Sequence, residues 1–327
     1  MKVLVTGADG LLGSNIVREL INQKYIVKVL IEKDRNTGTL NDLNIEKTTG
    51  NILDKASIAE ALKGCDFIIH AAASTAIWPA RSQSIRKINI EGTLNILEAA
   101  KKNNIKRIVH VGTANSFGCG TKENPGNESN PFTAGKYKLD YIDSKYEIQQ
   151  KLLQESKKGN IEIVIVNPTF MLGPYDSKPS SGQFLIALYQ NKVPGYTNGG
   201  RNFLYVKDAA TGVVNALKKG CPGECYILAG TNLCYSEFNA VISKTLNVKT
   251  PKIWFPKPFI LLYGFISELL GKVFRFEPKV SIAVAKISTD SHFYSAQKAI
   301  EELDLPQTSV EVAVKDAMDW FRENGYV

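Results

Sequence analysis

No feature limits the fold of this chain more than its first thirteen residues. Lys2–Thr6 is a short apolar run that reads as a buried strand, and Gly7-Ala8-Asp9-Gly10-Leu11-Leu12-Gly13 follows at once. From Leu11 to Lys24 the apolar residues recur at helical spacing. Strand, glycine turn, helix is the context in which such glycines carry chemistry. Without side chains they permit a tight turn, let the backbone approach a pyrophosphate, and let helix pack closely on strand. The unpaired N–H groups at the helix N-terminus then face the phosphates.

The same alternation continues. Tyr25–Ile31, Ile45–Thr49, Phe67–His70, Arg107–Val111 and Glu162–Val166 read as further strands, and Arg86–Asn104 as one long helix. Small or polar residues leave the strand ends: Asn51-Ile52 after the third, Ala71-Ala72-Ala73 after the fourth, Gly112-Thr113 after the fifth, Asn167-Pro168 after the sixth. The fold class is therefore α/β, a doubly wound parallel sheet of the Rossmann type with its ligand at the carboxyl edge. Residues 1–168 form the dinucleotide-binding domain, and 202–230 return to it through Asp208–Lys219 and Cys225–Ala229. Residues 169–201 and 231–327, rich in Gly and Pro loops, form mainly a smaller, interleaved substrate-binding lobe.

An acid at the end of the second strand bonds the adenosine ribose 2′-OH and selects NAD, whereas basic residues there admit a 2′-phosphate. The stretch Ile31-Glu32-Lys33-Asp34-Arg35 carries both signals. Glu32 favours NAD.

Tyr141 and Lys145 stand four apart and share one face of a predicted helix. Beside a nicotinamide ring such a pair works as an acid–base device, because the ammonium favours the phenolate and lowers a pKa ordinarily near 10. Alone the spacing is common, and an exposed amphipathic helix explains it equally well.

Composition removes several function classes. The net charge is +8, but the lysines are scattered, with no basic stripe interleaved with aromatics and no nucleic-acid motif. Three histidines, at 70, 110 and 292, show no metal-ligand spacing. Five cysteines form no disulfide framework, which points to free thiols in a reducing, cytoplasmic compartment. No signal peptide precedes the first strand. No apolar run approaches the roughly 20 residues of a membrane span. Ile253–Phe276 nevertheless crowds seven aromatic residues together. A core helix or lobe interface is the leading reading; an apolar wall over the substrate comes second, and membrane-surface contact through Lys257, Lys272 and Arg275 third.

Taken together these motifs resemble the extended short-chain dehydrogenase/reductase superfamily, the NAD-dependent epimerase/dehydratases. Thr6, Gly7, Gly10 and Gly13 match its Thr-Gly-x-x-Gly-x-x-Gly signature. His70-Ala71-Ala72-Ala73, Asn89 with Gly92-Thr93, Tyr141 with Lys145, and Asn167-Pro168 with Gly173-Pro174 follow in the family's order. So do Arg201-Asn202-Phe203, Val206-Lys207-Asp208 and Ser295-Ala296-Gln297-Lys298-Ala299. Tyr25–Arg35, Trp78-Pro79 and the segment after Val280 most resemble the dihydroflavonol-reductase-like and 3β-hydroxysteroid-dehydrogenase-like branch.

The resemblance implies a nicotinamide cofactor held by Gly7, Asp9, Gly10, Leu11, Leu12 and Gly13, then by Glu32, Arg35, Asn51 and Ile52 at the adenosine end. Ala71, Ala72, Ala73 and Val111 would line its path, with Tyr141, Lys145, Asn167, Pro168 and Thr169 toward the nicotinamide. Thr113 takes the place of the family's catalytic serine, 28 positions before Tyr141 (141 − 113). With Tyr141 and Lys145 it makes the catalytic set, Asn89 supporting it. Trp78, Thr113, Phe170 and Arg201 would meet the substrate. Two positions depart from the pattern: Asn51-Ile52 replaces Asp-Leu, with the amide oxygen left to accept from adenine, and the acid expected nearer 31 is displaced to Glu32.

The expected reaction interconverts a secondary alcohol and a ketone or aldehyde on a small, apolar or ring-bearing substrate. Nucleotide-sugar epimerisation uses the same chemistry, and Arg201 favours it; a non-catalytic dinucleotide-binding regulator would ordinarily lack the Tyr141–Lys145 pair. A 4,6-dehydratase needs acids after Thr113, where Ala114-Asn115 stand. The family's habit of pairing through helices equivalent to Arg86–Asn104 and Leu139–Ser156 implies a homodimer.

Overall fold

The structure, a computed structural model, describes residues 1–327. In chain order the elements of the first half are β1 Lys2–Thr6, α1 Leu11–Asn22, β2 Ile26–Ile31, β3 Glu46–Thr49, α2 Lys55–Leu62, β4 Phe67–His70, α3 Gln83–Arg86, α4 Thr93–Lys102, β5 Arg107–Val111, α5 Asp140–Ser156 and β6 Glu162–Pro168. The second half holds β7 Phe170–Leu172, α6 Gly182–Tyr189, β8 Gly195–Tyr196, β9 Gly200–Tyr205, α7 Val206–Asn215, β10 Cys225–Leu228, β11 Thr231–Cys234 and α8 Tyr235–Leu246. It ends with β12 Ile253–Trp254, α9 Lys257–Phe274, α10 Ile282–Thr289, β13 Ser291–His292, α11 Gln297–Leu303 and α12 Val310–Glu323.

Seven strands form one parallel sheet in the order β10-β6-β5-β4-β1-β2-β3. Val3, Leu4, Val5, Ile68, Ile69, Val109 and Ile163 to Val166 are almost wholly removed from solvent, because helices cover both faces of the sheet. α1 shows how a helix is held there. Leu12, Ile16, Val17 and Leu20 lie on its inner face against the sheet, and its flank packs on α7. Each such side chain contributes roughly 2 kcal/mol in transfer terms. The chain direction along the sheet reverses between β1 and β4, and that is where a crevice opens at the carboxyl edge.

A second sheet, β11-β9-β13 with β7 also on β9, has its own apolar core of Leu172, Leu185, Phe203, Phe238, Phe321 and neighbours. Within the stretch expected to lie mainly in the lobe, Tyr294, Ala299, Leu303 and Leu305 pack instead into the core of the large sheet.

Two sequence expectations are corrected. The long helix over Arg86–Asn104 is broken: Lys87–Gly92 is a π-helical turn between α3 and α4. Gly92 presses on Ile52, where a Cβ would come within 2.6 Å of the Ile52 side chain, and the wide turn aims Asn89 inward. The core-helix reading of Ile253–Phe276 also fails. α9 buries only Gly264 and Gly271, and its large side chains face outward. Gly264 sits so close to α10 that a Cβ would lie 2.7 Å from that of Ala285, so the two helices meet along a glycine face.

Candidate active site

A cavity of about 990 Å³ opens at the crevice. One end is the glycine turn. Gly7 has φ +71°, and a Cβ there would meet Ala72 N at 2.6 Å; a Cβ on Gly13 would meet Gly7 O at 2.0 Å. Both positions admit only glycine. A Cβ on Gly10 would touch nothing nearer than Gly7 O at 3.5 Å, so the space above it is open to a ligand. Gly10 is also the N-cap of α1, with no side chain capping the helix and no acid in its first turn. The donors and the dipole there are left for an anion. This cradle fits a dinucleotide pyrophosphate.

At the end of β2 the Glu32 carboxylate accepts from Arg35 (Nε 2.9 Å) and from Asn51 Nδ2 (2.8 Å). Asn51 Oδ1, expected to turn to adenine, accepts the backbone N–H of Leu53 at 2.8 Å. The amide is thus oriented by its own turn, with its nitrogen spent on Glu32. The remaining cavity wall contains Asp9, Leu11, Leu12 and Ile52, then Ala71 to Ala73, Val111, Pro168 and Thr169, all predicted to meet a dinucleotide.

Thr113, Tyr141 and Lys145 come together at the centre. Thr113 leaves the end of β5 and Tyr141 stands in the first turn of α5, and both line the cavity. Lys145, one turn on, is buried and donates from Nζ to the carbonyl of Val111 at 2.6 Å. Burial lowers its ammonium to about 8. The expectation that Lys145 pulls the Tyr141 phenol down is not met here. Burial pushes that phenol up, the hydrogen bond from Thr113 offsetting only part of the effect. The reason is that desolvating a phenolate costs more than one hydrogen bond returns, and the ammonium is turned to Val111.

Asn89 and Asn167 lie behind this wall rather than in it, which suits the supporting role expected of Asn89 and corrects the direct cofactor contact expected of Asn167. Asn89 Oδ1 accepts from Ser74 N at 2.8 Å, and its Nδ2 donates to Ser144 Oγ at 2.9 Å. Ser144 Oγ in turn donates to the Tyr141 carbonyl at 3.0 Å, so Asn89 positions the first turn of α5. Asn167 Nδ2 donates to the Thr113 carbonyl at 3.1 Å and to Gln149 Oε1 at 2.7 Å. Trp78 also stands outside the wall, while its neighbours Ala76 and Ile77 line it. Phe170 and Arg201 do line it; Arg201 lies over the Phe170 ring at 4.9 Å and donates from Nε to Tyr235 Oη at 2.8 Å.

Sequence reasoning missed Ser144 and Gln149, and a signal existed. Both are polar residues on the same side of α5 as Lys145, a buried face that should otherwise be apolar. It also missed a clamp beneath the site. The Thr93 hydroxyl donates to the Asn89 carbonyl at 2.7 Å, so His70 Nε2 must be its donor, at 2.9 Å. His70 Nδ1 then accepts from the Thr6 hydroxyl at 2.7 Å, and Thr6 accepts from Ala72 N at 3.2 Å. Burial lowers His70 to about 3, with the charge of Lys145 adding to the effect, so the clamp is neutral. Val284, Ile287, His292, Tyr294 and Glu277 complete the far wall; Ile253–Phe276 contributes nothing to it, which excludes the substrate-wall reading.

The family model for the NAD dependent epimerase/dehydratase family matches residues 3–229. The chain belongs to that family. Within it, 32% identity over 332 residues (99% of this chain, 95% of the relative) links it to a protein of Synechocystis sp. named "Putative dihydroflavonol 4-reductase". "Sterol demethylase protein B" of Methylococcus capsulatus is 26% identical over 336 residues, covering all of both chains. The crystal structure of gox2253 superposes with a TM-score of 0.87 at 31% identity, over 99% of this chain and 98% of that one. This member of the NAD dependent epimerase/dehydratase family is an oxidoreductase of the extended short-chain type with a nicotinamide dinucleotide cofactor.

Proposed function

We propose that this enzyme interconverts a secondary alcohol and a ketone or aldehyde on a small, apolar, ring-bearing substrate. The carrying observation is that the Thr113 and Tyr141 hydroxyls share one cavity with the glycine cradle, Lys145 buried behind them. Bound in the cradle, the dinucleotide supplies the hydride acceptor in one direction and the donor in the other. Tyr141 holds the proton that the substrate oxygen gains or loses. Thr113 donates a hydrogen bond to that oxygen and stabilises the charge developing on it. With its phenol pushed up by burial, Tyr141 is an acid in the free protein, the state that carbonyl reduction requires. Lys145 supplies positive charge behind the site, and Asn89 and Asn167 hold the Tyr141 and Thr113 backbones.

Ile77, Phe170, Met171, Val284 and Ile287 make much of the substrate side of the wall apolar. Relatives named for a dihydroflavonol and for a sterol support the same choice. NAD is the preferred dinucleotide, since Glu32 already neutralises Arg35, a cation lining the adenosine end of the cavity. Glu32→Gln would release Arg35 and move the preference toward NADP.

Arg201 in the wall favours a second reading, nucleotide-sugar epimerisation. The cavity's other arginine, Arg35, is at the adenosine end and paired with Glu32, so Arg201 has no second arginine beside it. A screen with NADH and NADPH against ketosteroids, flavanonols, simple aldehydes and UDP-sugars separates the two. Cofactor oxidation with a ketone supports the proposal; turnover of a UDP-sugar without net change in cofactor redox state would sink it.

A further inference from the structure

α9 is built inside out. Phe259, Leu262, Tyr263, Phe265, Ile266, Leu269, Leu270, Val273 and Phe274 are all exposed and fall on one half of the helix, at three- and four-residue spacing. The half turned to the protein carries Gly264, Gly271, Ser267 and Glu268, with Glu268 accepting from the backbone N–H of Ile282. Ile253, Trp254 and Phe276 extend the patch, so twelve of the eighteen exposed large apolar residues of the molecule lie here. A contiguous surface of that kind marks an interface. The helix is 18 residues, about 27 Å long, and no helix of the protein is long and apolar enough to cross a membrane.

Charge selects the occupant. Residues 251–280 carry five cations (Lys252, Lys257, Lys272, Arg275, Lys279) and two acids (Glu268, Glu277). Glu268 is tied to Lys272, and Lys257 to Asp290, which leaves Lys252, Arg275 and Lys279 outside any ion pair, at both ends of the apolar stripe. A second copy laid along α9, parallel or antiparallel, would set cationic end against cationic end. An anionic headgroup layer meets the same cations with opposite charge while the apolar half enters the acyl boundary, and Trp254 and Tyr263 suit the interface between the two.

We propose that α9 docks this protein on an anionic lipid bilayer, lying in the plane of the interface with its outer half inserted and Lys252, Arg275 and Lys279 among the headgroups. The proposal does not depend on which reaction the active site performs.

Co-sedimentation of the full chain with phosphatidylcholine vesicles, with and without phosphatidylglycerol, tests it. The parent protein is expected to sediment with the phosphatidylglycerol vesicles and far less with phosphatidylcholine alone, the difference shrinking as salt is raised. Leu262→Gln/Ile266→Gln/Leu269→Gln is expected to lose about tenfold or more in vesicle affinity, with circular dichroism and thermal midpoint unchanged. Arg275→Ala/Lys279→Ala, outside the apolar stripe, is expected to lose the preference for phosphatidylglycerol. A parent protein that stays in the supernatant, or a triple variant that sediments as well as the parent, overturns the proposal. So does a parent dimer that ignores vesicles and that the triple substitution dissolves, which would make a second copy the occupant.

Discussion

α5 and α9 are nearly the same length, 17 and 18 residues, and they invert the usual rule in opposite directions. α5 is a polar sequence, yet it buries Asp140, Ser144, Lys145 and Gln149 along with Ile142, Ile148 and Leu152. α9 is an apolar sequence, yet it buries two glycines. In α5 every polar group named above has a partner: Arg81 for Asp140, Asn89 for Ser144, the Val111 carbonyl for Lys145, Asn167 for Gln149. Burial without such partners would be prohibitive. In α9 the apolar surface has no partner within the chain. Hydropathy therefore misjudges both helices, because the site demands wired polar groups inside and α9 presents its apolar face to something outside.

Four substitutions test the contrast between the two helices. The largest effect is expected from Tyr141→Phe, which removes the one proton-bearing atom of α5 in the reaction; turnover should fall about a thousandfold while fluorescence titration shows dinucleotide binding nearly unchanged. Turnover retained would remove Tyr141 from the chemistry. Next, Ile142→Ala in the small core beneath Tyr141 should cost about 3 kcal/mol by denaturant unfolding. A cost near zero would mean that α5 is held by its polar wiring alone.

Lys145 tests the wiring by pH. Its folded-state pKa of about 8 lies below the unfolded value of 10.5, so the unfolded chain binds the proton more tightly. The penalty is complete below pH 8 and is relieved as pH rises from there toward 10.5. Relative to Lys145→Met, the parent protein should therefore gain about 2 kcal/mol of stability between pH 7 and pH 10. A flat difference would show that the ammonium is not desolvated. The smallest effect is expected in α9: Phe274→Ser removes a large apolar side chain that is 69% exposed, and the unfolding free energy should change by no more than about 0.5 kcal/mol. A loss comparable with that of Ile142→Ala would mean that α9 packs against the chain after all.

Much of this is legible in the sequence. The strand, glycine turn and helix at the start, and the small residues at successive strand ends, imply a parallel sheet with a crevice at its carboxyl edge. Most residues predicted to meet a dinucleotide do line that cavity. Asn167 does not, because a motif position says that a residue matters near a site and not whether its amide faces the ligand or the backbone behind it. The π turn was hidden, since Lys87–Gly92 has ordinary helical composition and only Gly92 against Ile52 reveals why the turn widens.

By itself, then, the order of residues determined the parallel sheet, the cradle that only glycines at 7 and 13 permit, and the placing of Tyr141 and Lys145 on one helix face. These depend on local periodicity and on steric limits that act over a few residues. The tertiary structure alone decided which way Lys145 points, that burial raises Tyr141, and that the apolar face of α9 is left outside. Each of those turns on what a distant segment places alongside, and no local pattern encodes it.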